Sequence, residues 1–170
     1  MEFNKLIRER FSCRALSDRE IPHESMNRIF EAARLAPTAV NKQPIHFWVL
    51  KSSEAMKKLA ETTHFVFGAP VAIVIGSKAE EAWVRSFDEK NFAEVDASIA
   101  ATHMMLEAED LGLGTTWVGH FDAPKMKKLF PEMAGFELSC VLPIGYPTDD
   151  AAPSTRHAER KGTEALVSWL

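Results

Sequence analysis

Val71-Ala72-Ile73-Val74-Ile75 is an unbroken apolar run. A half-exposed strand alternates polar and apolar residues, so a run without alternation predicts a strand buried on both faces. Outward from it, His46-Phe47-Trp48-Val49-Leu50 and Leu138 to Ile144 read as two more strands, the second turned by Gly145 and Pro147. Thr115-Thr116-Trp117-Val118 is a shorter one. The intervals carry helical spacing. Phe3, Leu6 and Ile7 share one face of a helix over Met1 to Arg8, and residues 15–22 form a turn-rich connection. Met26, Ile29, Phe30 and Ala33 give the i, i+3, i+4, i+7 pattern within His23 to Ala36, which Pro37 stops. Ser52 or Ser53 caps a helix through about Glu61, and Asp122 caps another to Phe130.

Residues 91–111 make the longest helix. Phe92, Val95, Ile99, Thr102 and Leu106 form one stripe, and Ala93, Ala97, Ala100, Met104 and Ala108 form another. A helix apolar around so much of its circumference is buried on more than one side. Its alanines permit close approach of a neighbour, and a subunit interface is one way to supply it. Gly112 and Gly114 end the helix by tolerating positive φ. Strands and helices interleaved at irregular intervals predict an α+β sandwich with a mostly antiparallel sheet.

The 170 residues fit one domain, and no interdomain linker interrupts them. A formal charge of −4 argues against a general nucleic-acid binder. No apolar run reaches the roughly 18 residues of a membrane span, and the N-terminus has no apolar signal region. The two cysteines, Cys13 and Cys140, form no C-x-x-C, which fits a reduced, cytoplasmic setting. From Thr148 to Gly162 the chain is polar and loop-like, yet it ends in Leu166-Val167-Ser168-Trp169-Leu170. So apolar a terminus is expected to dock, on its own subunit or on a partner.

The most suggestive polar stretch is Arg8-Glu9-Arg10-Phe11-Ser12-Cys13-Arg14. In an extended chain Arg8, Arg10, Ser12 and Arg14 point to one side, and guanidinium forks suit a phosphate or a carbonyl-and-nitrogen edge. The alternative is a solvated basic helix end. The usual chemical motifs are missing. Gly112, Gly114 and Gly119 do not match G-x-G-x-x-G and follow a helix where that fingerprint follows a strand. No P-loop is present, the six histidines show no metal-ligand spacing, and neither Ser12 nor Cys13 sits in a nucleophile elbow. No carboxylate pair stands out. An anion site without proton-transfer or covalent machinery suggests that a cofactor brings the chemistry.

Three separated segments resemble the flavin-dependent nitroreductase family. Arg10-Phe11-Ser12-Cys13-Arg14 is similar to its R-x-S-x-[RK] opening, and Ala36-Pro37-Thr38-Ala39-Val40-Asn41-Lys42-Gln43-Pro44 to its A-P-[ST]-x-x-N-x-Q-P segment. Gly112-Leu113-Gly114 through Val118, Gly119, His120 and Phe121 resembles its G-L-G turn and the strand end that follows. Val141 to Pro147 and then Arg160-Lys161 complete the order over nearly the whole chain.

The resemblance implies a three-layer α-β-α sandwich and an intertwined homodimer with FMN at the subunit interface. The long helix would lie at that interface, and an arm of about residues 148–170 would wrap the partner. Arg10, Phe11 and Ser12 would hold the ribityl phosphate or chain, and Arg14 the pyrimidine edge. Pro37, Thr38, Ala39, Asn41 and Gln43 would line the ring from the partner subunit. Val118, Gly119 and His120 would offer backbone groups near it, and Arg160 and Lys161 would complete the phosphate site. The implied reaction passes hydride from NADH or NADPH through flavin N5 to nitro compounds, quinones or similar small acceptors, by ping-pong kinetics and with no protein residue as acid or base. Phe65, Phe67, Trp83 and Phe87 are candidates to cover the ring or to pack in the core. Thr62 to Phe67 offers no lysine to share the pyrimidine edge, as some larger members have. Two other readings use the same scaffold: a flavin-binding or flavin-delivery protein with little turnover, and a dehalogenase or flavin-cleaving enzyme.

Overall fold

The computed structural model describes residues 2–170, so Met1, the predicted start of the first helix, lies outside the described residues. Five α-helices flank a four-stranded sheet: α1 Phe3–Glu9, α2 His23–Arg34, α3 Ser53–Ala60, α4 Ala93–Asp110 and α5 Ala123–Leu129. The strands are β1 Ile45–Leu50, β2 Val71–Ser77, β5 Gly114–Thr115 and β6 Glu137–Gly145, in the order β1-β2-β6-β5. All three pairings are antiparallel. A two-residue hairpin, β3 Val84–Arg85 with β4 Lys90–Asn91, stands apart from the sheet.

β2 is buried at every position, because each of its faces carries a helical layer. Val71, Ile73 and Ile75 join Cys140, Leu142 and Ile144 of β6 beneath α2 and α4. Ala72 and Val74 join Val141 and Leu50 against Leu59 of α3 and Met126 of α5. This is the three-layer sandwich. Both outer helices carry side-chain N-caps: Ser52 Oγ accepts from Ala55 N–H at 3.1 Å, and Asp122 Oδ1 from Lys125 N–H at 2.9 Å. Each such cap is worth about 1 kcal/mol.

The structure revises several expectations. The alanine stripe of α4 is buried against α2 and the sheet of its own chain, so that close neighbour is not a second subunit. The face left half-exposed is the other stripe, Val95, Ile99 and Leu106. The strand expected at Thr115 to Val118 pairs only at Gly114 and Thr115, and again as a single bridge from Val118 to Val141. Pro143 occupies the register position opposite Thr116 and has no N–H to donate. Gly112 takes the left-handed conformation (φ +73°), but Gly114 does not. Gly114 is needed for close approach, since a Cβ there would lie 2.7 Å from Cys13 Cβ and 2.8 Å from its Sγ. The apolar terminus does not dock on its own chain: Leu166 and Leu170 are exposed and Trp169 is 94% exposed.

Because its neighbours are buried and close, Gly114→Ala is expected to cost about 1–3 kcal/mol by overpacking. Urea denaturation checks this through the midpoint, and an unchanged midpoint would contradict the contact between Gly114 and Cys13.

Candidate functional site

The site begins where the chain leaves α1. Arg10 closes the helix, its N–H donating to Leu6 O at 3.0 Å, and its extended backbone carries the chain alongside β5. Ser12 bridges Thr115 in parallel, Cys13 N–H donates to Thr115 O at 2.9 Å, and Thr116 Oγ1 donates to Cys13 O. Extended geometry then sorts the side chains: Cys13 is fully buried, while Ser12 and Arg14 turn outward.

Residues near the other end of the sequence complete the cleft. Ser154 Oγ accepts from Arg156 N–H at 3.3 Å to start a 3-10 turn over Thr155–Ala158, and His157 Nε2–H donates to Arg8 O at 3.2 Å. Together they enclose an open cleft of about 360 Å³. Arg10, Arg14, Arg156 and Arg160 line it, with Phe11, Ser12, Ser154 and His157. No carboxylate lines it, and none of the four guanidiniums forms an ion pair with a described residue. Four guanidiniums without ion-pair partners around one opening suit an anion of more than one charge. Behind them, burial pushes the half-buried Glu109 carboxyl up while Arg10 pulls it down.

The structure thus brings Arg10, Phe11, Ser12, Arg14 and Arg160 to one cleft, whereas Lys161 is exposed and does not line it. Arg8 stays on α1 and contributes its carbonyl. Sequence reading missed Ser154, Arg156 and His157. Their signal was a serine cap followed two residues later by an arginine, inside a stretch read only as polar loop.

A rim of aromatic groups lies beside the cleft. Val118 exchanges both backbone hydrogen bonds with Val141 (2.9 and 3.0 Å), which leaves Gly119 and His120 exposed just beyond. Thr63 Oγ1 donates to His120 O at 2.8 Å, and Phe65 meets the His120 ring edge-on at 5.7 Å. Phe65 also contacts Phe67, which packs with Phe11 against Cys13 and Leu16. Trp83 packs instead on Phe92, and Phe87, at the hairpin tip, is 96% exposed.

The Pro37–Gln43 segment lies elsewhere. Ala39–Asn41 forms a 3-10 turn in which Val40 and Asn41 have φ of 46° and 57°, followed by Gln43 at 53°. Ala39 N–H donates to Asp96 Oδ1 at 2.9 Å, in the first turn of α4. Arg10 faces Glu109, in the last turn. At 1.5 Å per residue roughly 20 Å of helix separates the two places, so one chain does not bring this segment to the arginine cleft. Asp96 was also missed. It falls three residues after Ala93 and four before Ala100, on the buried alanine stripe, where a lone acid needs a reason.

Comparison with known proteins follows the same lines. A family model described as Nitroreductase family matches residues 7–65 and 61–146. A protein of Archaeoglobus fulgidus, provisionally named an NADH dehydrogenase/NAD(P)H nitroreductase, is 34% identical over 161 residues, covering 86% of each chain. A nitroreductase family protein of Clostridium difficile has a TM-score of 0.92 at 32% identity, over 99% of this chain and 98% of that one. A provisionally named nitroreductase of Desulfovibrio desulfuricans, solved in complex with FMN, has a TM-score of 0.79 at 27% identity, over 98% and 96%. The chain belongs to the nitroreductase family.

Cys13 lies beneath the arginine strand, and burial pushes its thiol up, as it does the Cys140 thiol. Both are expected to resist a thiol-specific reagent at neutral pH until the protein unfolds. Rapid labelling of native Cys13 would show that the strand is not seated on β5.

Proposed function

We propose that this chain is an NAD(P)H-dependent FMN oxidoreductase that works as a homodimer on small electron-poor acceptors such as nitro compounds or quinones. The observation that carries the reading is the arginine cleft, with four guanidiniums, two serine hydroxyls and no carboxylate lining it. The phosphate of FMN has close to two negative charges, and such a donor set fits it. Arg10, Ser12, Arg156 and Arg160 hold the phosphate end, and Arg14 supplies a fixed positive charge toward the pyrimidine edge. When bound, FMN supplies the two-electron chemistry itself.

The protein residues bind and orient. Gly119 and His120 present backbone groups beside the cleft, and Phe65 and Phe67 give the ring an apolar neighbour. Pro37, Thr38, Ala39, Asn41 and Gln43 come from the second subunit, because one chain holds them at the far end of α4. The half-exposed stripe Val95, Ile99 and Leu106 gives a second copy a face to cover. Residues 1–170 act as one domain, and the terminal part of the arm, with Trp169 exposed, wraps the partner. Among the described residues no helix is long and apolar enough to cross a membrane, and the setting proposed is cytoplasmic.

The purified protein is expected to show an oxidised-flavin absorbance spectrum that bleaches on adding NADH or NADPH without oxygen. No flavin, even after incubation with FMN, would overturn the reading. Flavin that stays oxidised with both nucleotides would favour a binding or delivery protein. Arg10→Ala is expected to weaken FMN binding by about 1.5–3 kcal/mol, roughly ten- to hundredfold. An unchanged dissociation constant would remove Arg10 from the site. If donor and acceptor use one cleft in turn, initial-rate plots against both substrates are parallel, whereas intersecting lines would mean that both bind together.

A further inference from the structure

The turn at Ala39–Asn41 is held in an unfavourable conformation. Val40 is β-branched and sits at φ 46°, ψ 27°, where such residues are outliers, and Asn41 and Gln43 share the left-handed region. Most hydrogen bonds of the turn are internal: Asn41 N–H to Thr38 O at 2.9 Å, Lys42 N–H to Ala39 O at 3.2 Å and Gln43 N–H to Thr38 Oγ1 at 3.0 Å. Among the described residues, two tie it to other parts of the chain. Lys42 Nζ reaches Ala82 O at 3.4 Å, and Ala39 N–H donates to Asp96 Oδ1 at 2.9 Å.

Asp96 is 1% exposed, and its Oδ2 is buried with no hydrogen-bond partner among the described residues. A buried carboxylate oxygen left without a partner is costly and calls for an explanation. Acidic charge in the first turn of α4 does not explain it, because the exposed Glu94 supplies that charge without desolvation. Nor does packing, which an alanine would satisfy as it does at Ala93, Ala97 and Ala100. What distinguishes Asp96 is its reach to the turn.

We infer that Asp96 is a positioning residue that locks the Thr38–Gln43 turn onto the first turn of α4 and so sets how Ala39 and Asn41 are presented to the acceptor. This rests on the reading that the turn lines the FMN ring of the opposite subunit. The lock acts on the acceptor side of the site and leaves the phosphate grip, at the far end of α4, untouched.

The test compares Asp96→Ala with Asp96→Asn, which keeps an acceptor oxygen toward Ala39 N–H, and with Glu94→Gln as the charge control. Asp96→Ser, too short to reach Ala39, serves if the alanine variant does not fold. Without any flavin, trypsin cleavage after Lys42, normalised to cleavage elsewhere, is expected to rise about tenfold in Asp96→Ala or Asp96→Ser. It should stay within about twofold in Asp96→Asn and Glu94→Gln. In the holoprotein, Asp96→Ala or Asp96→Ser is expected to raise acceptor KM about tenfold while the FMN dissociation constant moves less than about threefold. Cleavage at the wild-type rate would overturn the lock. Faster cleavage with an unchanged acceptor KM would reduce Asp96 to a structural tether and overturn its positioning role. Faster cleavage in a protein that never takes up FMN would support the lock and overturn the FMN reading, so the two fail separately.

Discussion

Everything in this molecule follows from a strand that has no face for water. β2 presents apolar side chains on both sides, so its backbone groups must be paired within the sheet and both faces must be covered by helices. β1 and β6 supply the pairing, α2 and α4 cover one face, and α3 and α5 the other. The two helical layers differ in what they leave over. α4 buries its alanines against its own chain and keeps a second apolar stripe outside. The helices of the opposite layer are short, and both are capped at their starts.

The candidate site lies at the margins of that sandwich. The edge strand β5 is two residues long, and beyond it the sheet is extended by the segment leaving α1. That arrangement puts Cys13 inside and Arg10, Ser12 and Arg14 outside. The cleft is then a matter of charge. Guanidiniums without ion-pair partners repel one another, and in an open cleft water screens that repulsion. The same economy holds at the other end of α4, where strain and an unmatched buried oxygen coincide within a few residues.

Periodicity made the framework legible. The unbroken run at Val71 to Ile75, the helical spacing from Met26 to Ala33 and the caps at Ser52 and Asp122 are local patterns, and the structure places their elements within a residue or two. What local pattern cannot show is which partner a face meets. The alanine stripe on α4 announced a close neighbour without saying that it was α2. Thr115 to Val118 read as a continuous strand because the interruption comes from Pro143, on another strand. At the site, Arg10, Ser12 and Arg14 were legible because their spacing is short-range. Arg156 and His157 were not, because the hydrogen bond from His157 to Arg8 spans most of the chain. Asp96 was hidden by its own context, an acid among alanines on a helix start where acids are ordinary.

The contact between His157 and Arg8 has a consequence for how the protein is made. The floor of the cleft, from Arg10 to Arg14, is synthesised well before its far wall, from Ser154 to Arg160. A chain that stops short of Ser154 lacks one wall of the arginine cleft, however well its sheet has formed. Until the second segment has been made, Arg10 and Arg14 have only half of the cleft around them. Assembly of the cleft is therefore a long-range event, dependent on two segments far apart in the chain order.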